Sequence, residues 1–199
     1  MKTGKTASAD HPLHELIAQR WSPRAFADRP LGEGELGSLL EAARWAPSSF
    51  NDQPWSFVVG RKGAGDAYAK LASCLVPANA AWATAAPVLM LSVARLAFAA
   101  NGRPNRHAQH DVGLATASLV LQAQALGIAT HMMAGFDAER ARAELAIPDG
   151  HEPLAMIAVG YPGPADQLPA PLREREEAPR ERKPLADFVF GAAWGLPGE

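Results

Sequence analysis

The sequence has little cysteine and little unbalanced charge. Its single cysteine, Cys74, cannot form an intrachain disulfide, which favours a reducing compartment and predicts a cytoplasmic protein. The formal net charge is only -2, so the chain has no overall basic field with which to bind nucleic acid or an anionic membrane. An anionic ligand would therefore have to be bound by a few local arginines.

The sequence also lacks a segment typical of a signal peptide or a membrane span. The N-terminal residues carry two lysines but no apolar run behind them, so residues 1–10 are predicted to be a disordered lead-in. The longest stretch without Asp, Glu, Lys or Arg lies between Asp111 and Asp137. It contains Gln122, Gln124 and His131, which are costly in lipid, and a buried helix followed by a buried strand is predicted there instead.

Helices and strands alternate along the rest of the chain. Apolar periodicity and flanking breakers predict helices over residues 11–20, 32–46, 64–75, 110–127 and 137–147. Runs of β-branched and apolar residues predict strands over residues 55–61, 87–95, 128–135 and 153–162. The class is therefore mixed α and β, with helices covering a central sheet.

Two segments stand apart from this alternation. Residues 102–109 are irregular and polar, which is typical of a mobile lid. Residues 162–199 are rich in proline and charge before they turn apolar again, so they are predicted to form an extended arm of a single domain that spans residues 11–199. The helix over 110–127 is apolar or small nearly all round, which indicates a central position or burial between subunits, and Asp111 is predicted to cap its start.

Several familiar site motifs are missing. No G-x-G-x-x-G follows a strand, no G-x-x-x-x-G-K-[ST] occurs, and G-x-S-x-G is absent, which argues against a dinucleotide-binding fold, a phosphate-binding loop and a serine hydrolase. The segment HAQHD offers His107, His110 and Asp111 as a metal site. It has no cysteine pair, and the carboxylate is already explained as a helix cap, so no metal is predicted.

Arginine is the remaining candidate for ligand binding. Arg20 and Arg24 flank Ser22, while Arg180 and Arg182 lie in the arm beside another base, Lys183. If the two clusters fold together they would form an anion site without a glycine-rich loop, because the guanidinium fork suits phosphate. If they do not, both clusters lie on the solvent-exposed surface, as most charged side chains do.

The stretch WAPSSFNDQPW, residues 45–55, is unusually rich in polar side chains. These can hydrogen-bond a planar polar heterocycle or a polyol chain, and a tryptophan at each end is expected to anchor the loop against the core. A helix-to-strand turn closed by its own Asn and Ser side chains is the alternative.

Taken together, RWSPRAF, LLEAARWAPSSFNDQPW, HDVGLATASLVLQAQALGIAT, MAGFD, IAVGYP and RKPL resemble the flavin-dependent nitroreductase family. The resemblance covers the chain from about His11 to Gly195. It implies an α+β fold, a three-layer α/β/α sandwich with a central, mainly antiparallel sheet, in a domain-exchanged homodimer that binds two FMN molecules at its interface. It also implies reduction by NADH or NADPH and hydride transfer through flavin N5 to a nitroaromatic, a quinone or a similar small acceptor, in two half-reactions.

The resemblance assigns site residues only where this sequence matches the family's motifs. The segment that holds the FMN phosphate and ribityl chain corresponds to Arg20, Trp21, Ser22 and Arg24, joined from the arm by Arg180 and Arg182. The loop that reaches the flavin from the other subunit corresponds to Pro47, Ser48, Ser49 and Asn51. The segment beside the flavin ring corresponds to Met133, Ala134 and Gly135, and Asn79 corresponds to a polar residue near the pyrimidine edge.

No side chain is expected to act as acid or base, because solvent can supply protons to a quinone or nitro group. No catalytic residue is therefore predicted. The alternative function is a flavin-binding or flavin-sequestering protein without efficient NADH or NADPH turnover.

Overall fold

The computed structural model describes residues 5–196, and a four-stranded antiparallel sheet forms its centre. Across the sheet the strands follow the order β1 (Trp55–Arg61), β2 (Val88–Arg95), β4 (His151–Gly160) and β3 (Ala129–Met133). Strand β2 is buried at seven consecutive residues, as its continuous apolar run predicts for a strand covered on both faces.

Helices pack on both faces of this sheet. They are α1 (Glu15–Gln19), α2 (Glu33–Arg44), α3 (Ala67–Ser73), α4 (Pro77–Ala83), α5 (Ala108–Ala125), α6 (Ala138–Glu144) and α7 (Ala170–Glu177). None of the helices in this part of the chain combines the length and the apolar character needed to cross a membrane.

Two apolar clusters, one on each face of the sheet, form the core. Leu89 and Leu91 of β2 pack with residues of α3, α4 and α6, whereas Val88 and Met90 pack with residues of α2 and α5. The alternation follows from the strand period of two, which directs successive side chains to opposite faces. The predicted α+β fold, with helical layers on both faces of an antiparallel sheet, is therefore confirmed.

The longest helix corrects one detail of the sequence analysis. Helix α5 begins at Ala108 after His107, so the prediction that Asp111 caps its start is wrong. Asp111 lies in the first turn, where its buried carboxylate accepts the Ser49 N–H at 3.0 Å and joins the helix to the polar loop. The predicted helix end is confirmed, because Gly127 follows the last turn with φ 70°.

Two short helices were not predicted. Helix α4 starts at Pro77, a residue favoured at the first helical position, but its sequence PANAAWA is mostly alanine and shows no apolar period that marks one face. Helix α7 lies within the arm, where proline and charge conceal it. The remaining end of the arm exposes the apolar side chains of Leu185, Phe188, Val189, Trp194 and Leu196.

Candidate functional site

The two arginine clusters of the sequence meet at one cleft of about 870 Å³. Arg20 enters it directly after α1, and Arg180, Arg182 and Lys183 enter it from the arm. The other lining residues are Ala7, Ser8, Ala9, Asp10, His11, Leu13, Ile17, Pro184, Leu185 and Phe188. Groups from opposite ends of the chain thus form a basic wall beside apolar side chains.

The guanidinium groups of this cleft repel one another. Burial lowers the pKa of Arg20, and the neighbouring charges of Arg180 and Arg182 lower it further. Burial and Arg182 lower the pKa of Arg180 in the same way. Among residues 5–196, none of the three is within ion-pair distance of an acidic side chain. The cleft therefore has an excess of positive charge that a bound anion would neutralise.

Backbone contacts fix the positions of these arginines. Arg180 Nη1 donates to the carbonyl oxygens of Ala18 at 2.7 Å and Lys5 at 2.8 Å. Arg20 Nη1 donates to Ser22 Oγ at 3.2 Å, so the predicted Arg20 and Ser22 are in direct contact. The ring of Trp21 lies beneath the Lys5 ammonium, 5.3 Å from its centroid.

The fourth predicted arginine of this group lies elsewhere. Arg24 does not line the cleft; its guanidinium lies 5.9 Å from the Trp82 ring centroid, and its Nη1 is 3.9 Å from Glu176 Oε2. Arg24 therefore contacts the arm helix α7 rather than the other arginines.

A second cleft of about 490 Å³ shares Arg20 with the first. It lies between α5 and the sheet, and the remaining lining residues are Ser92, Gln109, Val112, Gly113, Thr116, Ala117, Val120, Leu121, Met132, Leu154 and Ala155. Most of them are small or apolar. Because Arg20 belongs to both clefts, an elongated ligand with an anionic end and a less polar body could contact both.

The end of β3 brings another predicted group together. Asn79 Nδ2 donates to the Gly135 carbonyl at 3.0 Å, and a Cβ at residue 135 would lie only 2.5 Å from that nitrogen. A side chain at residue 135 would therefore require Asn79 to move. The Met133 side chain is buried in the core, so only its backbone can face a ligand, whereas the preceding Met132 lines the second cleft.

The loop after α2 has an unusual backbone. Phe50, Asn51 and Gln53 have φ values of 55°, 55° and 49°, a left-handed region that is rare for residues other than glycine. Two buried carboxylates join the loop to its surroundings: Asp111 of α5 accepts the Ser49 N–H, and Asp52 of the loop accepts from Arg95 Nη2 at 2.9 Å. Such strain persists only where surrounding contacts impose it, and it is concentrated at functional sites.

The anchoring role predicted for both tryptophans is only half right. Trp55 packs against Val112 and its neighbours in the core, but Trp45 is 76% exposed in the single chain. The Trp45 ring lies on the surface because its Nε1 donates to Glu41 of the preceding helical turn, at 2.8 Å. Neither cleft is lined by the predicted loop residues Pro47, Ser48, Ser49 and Asn51.

Sequence comparison identifies the family of this chain. The model of the Nitroreductase family matches residues 17–161, which include the segment of Arg20, the polar loop and all four strands. The chain belongs to the nitroreductase family. Its resemblance to that family is thus confirmed.

Individual proteins are similar to most of the chain. A solved oxidoreductase containing FMN is 35% identical, with a TM-score of 0.91 and full coverage of both chains. A 15.4 kDa uncharacterised protein of Mycolicibacterium smegmatis is 36% identical over 71% of this chain and 98% of its own length. A Thermus thermophilus protein named NADH dehydrogenase is 32% identical over 76% of this chain and 89% of its own length.

The HAQHD segment of this nitroreductase-family chain has a structural role. His110 Nδ1 lies 3.4 Å from Asp111 Oδ1, but the same carboxylate accepts the loop N–H of Ser49. Within residues 5–196, no group of three or more His, Cys, Asp or Glu side chains is arranged to hold a metal ion.

Three residues near the clefts were not among the predicted site residues. Lys183 lines the arginine cleft and Lys5 lies over Trp21, whereas Glu176 is buried against Arg24 and Ala25. Lys183 could have been included because it adjoins Arg182 in the sequence. Glu176 gives no such signal, since it lies in a run of alternating acidic and basic residues that is typical of a solvated surface.

Proposed function

We propose that this chain is an FMN-dependent NADH or NADPH oxidoreductase of the nitroreductase type that reduces a small organic acceptor such as a nitroaromatic or a quinone. The observation that carries the proposal is the meeting of Arg20, Arg180 and Arg182 at one cleft, with mutual repulsion that a phosphate would relieve. The FMN-containing oxidoreductase with 35% identity over the whole chain supports it, and so does the relative named NADH dehydrogenase.

The predicted site residues suit the parts of FMN, and three of them, Arg20, Arg180 and Arg182, line the clefts. Arg20, Arg180 and Arg182 would bind the phosphate through paired, charge-assisted hydrogen bonds, and Trp21 and Ser22 would contact the ribityl chain. Arg24 would contribute charge and support from the side of α7. The backbone of Met133, Ala134 and Gly135, with Asn79 behind it, would lie along the ring, where a main-chain N–H can donate a hydrogen bond.

FMN, when bound, supplies the redox chemistry, taking hydride from NADH or NADPH and passing electrons to the acceptor. The protein contributes binding, orientation and electrostatics. Because a proton for the acceptor can come from solvent, no side chain of this chain is assigned as an acid or a base.

A domain-exchanged homodimer belongs to this proposal. The polar loop with Pro47, Ser48, Ser49 and Asn51 lines neither cleft of its own chain, so it would contribute to the site of a second copy. The exposed apolar end of the arm would pack on that copy, and the long helix α5 would lie at the interface. The division into a lead-in and one domain, and a cytoplasmic location, stay predictions; residues 1–4 of the lead-in lie outside the described residues.

The phosphate assignment is tested by replacing Arg20 with alanine. Loss of its charge-assisted hydrogen bonds should weaken FMN binding about 10- to 100-fold. The dissociation constant can be measured by the quenching of FMN fluorescence as apoprotein is added. Arg173→Ala, at an exposed arginine of α7, is the matched control and should keep the affinity of the unmodified protein. Unchanged FMN affinity in the Arg20 variant would refute the assignment.

Oxidoreductase activity is tested separately from binding. Anaerobic addition of NADH or NADPH to the purified, flavin-loaded protein should bleach the flavin absorbance within seconds to minutes. A persistent oxidised spectrum in a protein that still retains FMN would favour a flavin-binding or flavin-sequestering protein instead.

A further inference from the structure

Glu176 is a buried carboxylate on the arm helix α7. Only 3% of its side chain is exposed, although it lies in one of the most charged segments of the sequence. Its Oε1 and Oε2 both accept the Arg24 N–H at 3.0 Å, and Oε1 also accepts the Ala25 N–H at 3.1 Å. Burial of an acidic side chain is costly unless hydrogen bonds satisfy it, and here the hydrogen-bond donors are backbone groups of a segment distant in sequence, with the Arg24 guanidinium 3.9 Å away.

These bonds fasten the arm to the segment that follows Arg20. A second tie lies on the other side of Arg20, where Arg180 donates to the carbonyl of Ala18. The hydrogen bonds of Glu176 and of Arg180 thus lie on either side of Arg20 in the sequence, at residues 24–25 and at residue 18. They connect the segment of Arg20 to the arm. Arg182 follows Arg180 by two residues and lines the same cleft as Arg20.

Repulsion within the arginine cleft opposes this arrangement. Burial lowers the pKa of Arg20, and the charges of Arg180 and Arg182 lower it further, because the three cationic groups repel one another. The arm beyond Glu176 is exposed at most positions, so little apolar burial holds it in place. A fixed tie from the arm to the segment of Arg20 is therefore needed to keep the cleft closed on an anion.

We propose that Glu176 is a positioning residue that fastens the arm to residues 24 and 25 and so holds Arg180 and Arg182 beside Arg20, where they bind the phosphate of the cofactor. The inference rests on the proposed function of this cleft. Nothing in it requires Glu176 to touch the cofactor.

The sign of the effect separates positioning from simple electrostatics. If Glu176 acted only through its charge, neutralising it would raise the positive potential of the cleft and strengthen the binding of a phosphate. If Glu176 positions the arginines, neutralising it should weaken that binding, because a glutamine side chain has one acceptor oxygen and presents its NH2 to backbone N–H donors.

Glu176→Gln is the variant that tests this inference, and its affinity for FMN should be compared with its affinity for riboflavin. Riboflavin lacks the phosphate but keeps the ring and the ribityl chain, so it reports general damage to the site. We expect the FMN dissociation constant to rise about tenfold. The riboflavin dissociation constant should stay within about twofold of that of the unmodified protein.

Glu174→Gln is the matched control, since it removes the same charge from an exposed position of the same helix. It should leave FMN binding unchanged or slightly stronger. Glu176→Asp retains the carboxylate on a shorter side chain and should restore part of the preference for FMN. It also keeps the test available if the glutamine variant does not fold, which thermal unfolding of the apoprotein would show.

Each outcome has a defined meaning. Equal weakening of FMN and riboflavin by Glu176→Gln would show a structural role only and overturn the inference, as would unchanged or stronger FMN binding. If the unmodified protein itself does not prefer FMN to riboflavin, the phosphate assignment of the cleft fails, and the inference fails with it.

Discussion

His131 shows how the surroundings of one residue change its chemistry. Its ring lies on Trp82 with centroids 4.4 Å apart, and its Nδ1 is 2.9 Å from the carbonyl oxygen of Pro23. Burial lowers the pKa of His131 to about 4, because the charged form would lose its water, although the contact with Pro23 partly opposes the shift. A neutral His131 thus donates to the segment that carries Arg20 and Arg24.

The lowered pKa predicts acid sensitivity. Above pH 6.5 both the folded and the unfolded protein hold His131 neutral, so it adds no pH dependence there. Between pH 6.5 and about 4, His131 binds a proton in the unfolded chain but not in the folded protein. The stability of the folded protein therefore falls as the pH falls. The loss should approach roughly 3 kcal/mol and level off below the folded pKa.

Two variants isolate this contribution in urea unfolding at pH 7.0, 5.5 and 4.5. His131→Asn keeps a donor for Pro23, whereas His131→Phe keeps a ring for Trp82, and neither can titrate. Both should lose less stability between pH 7.0 and 4.5 than the unmodified protein, whatever their stability at pH 7.0. A pH dependence equal to that of the unmodified protein in both variants would contradict the assignment.

The loop between α2 and β1 is held in place by hydrogen bonds from residues outside it. Asp52 accepts hydrogen bonds from the Ala99 N–H at 2.9 Å, from Arg95 Nη2 and from Asn105 Nδ2 at 3.3 Å. Burial alone would raise the pKa of Asp52, but the Ala99 N–H and the Arg95 guanidinium lower it overall. These contacts join the strained loop to residues 95–105, which overlap the predicted lid, residues 102–109, only at their end.

Replacing Asp52 with asparagine should destabilise the protein by about 2 kcal/mol, because it removes a charged acceptor from a buried network. Asp66→Asn is the matched control. The Asp66–Lys70 pair has the same 2.9 Å separation as Asp52–Arg95, but it lies on the surface and should contribute less than about 1 kcal/mol. Urea unfolding at pH 7 measures both variants, and equal costs would show that burial of Asp52 adds nothing.

For individual elements, the sequence predicts helices and strands more accurately than it predicts the tertiary contacts of their side chains. The strand expected over residues 55–61 has those bounds, because aromatic and β-branched residues are flanked there by proline and glycine. The role of Asp111 was missed because an acidic residue near a helix start usually serves as a cap, whereas here it bonds a loop distant in sequence. Glu176 and His131 gave no signal for the same reason, since their partners are set by tertiary structure.

On the scale of the whole molecule, two arginine clusters were predicted to come together, and Arg20 of the first cluster does share a cleft with Arg180 and Arg182 of the second. The prediction was possible because a family resemblance adds information that spacing lacks; spacing alone favoured two solvated surfaces. The departure of Arg24 from the cleft could not be predicted, because it depends on Trp82 and Glu176, which lie far away in the sequence. The roles of these arginines in FMN binding stay a prediction.

The surface of the single chain has more exposed apolar area than one small domain usually leaves uncovered. Phe188 and Trp194 protrude from the arm, and Phe50 is 93% exposed at the tip of the strained loop. Helix α5 adds a strip of small exposed residues that includes Gly113 and Ala117. Patches of this kind mark interaction surfaces, and a second copy of the chain is the occupant expected for the proposed homodimer.

Ala117→Arg should therefore disrupt the dimer, because an arginine would introduce bulk and charge where close packing of helices is expected. Light scattering at micromolar concentration should give twice the mass of one chain for the unmodified protein and a lower average mass for the variant. FMN content should fall with it for two reasons, because the loop of each copy is proposed to complete the site of the other and because Ala117 itself lines the second cleft. The average mass is therefore the measurement that decides whether the dimer is disrupted. Ala143→Arg, on the exposed side of the short helix α6, is the control and should remain dimeric with its FMN. A monomeric unmodified protein that still retains FMN would rule out a shared site, and the polar loop would then need another role.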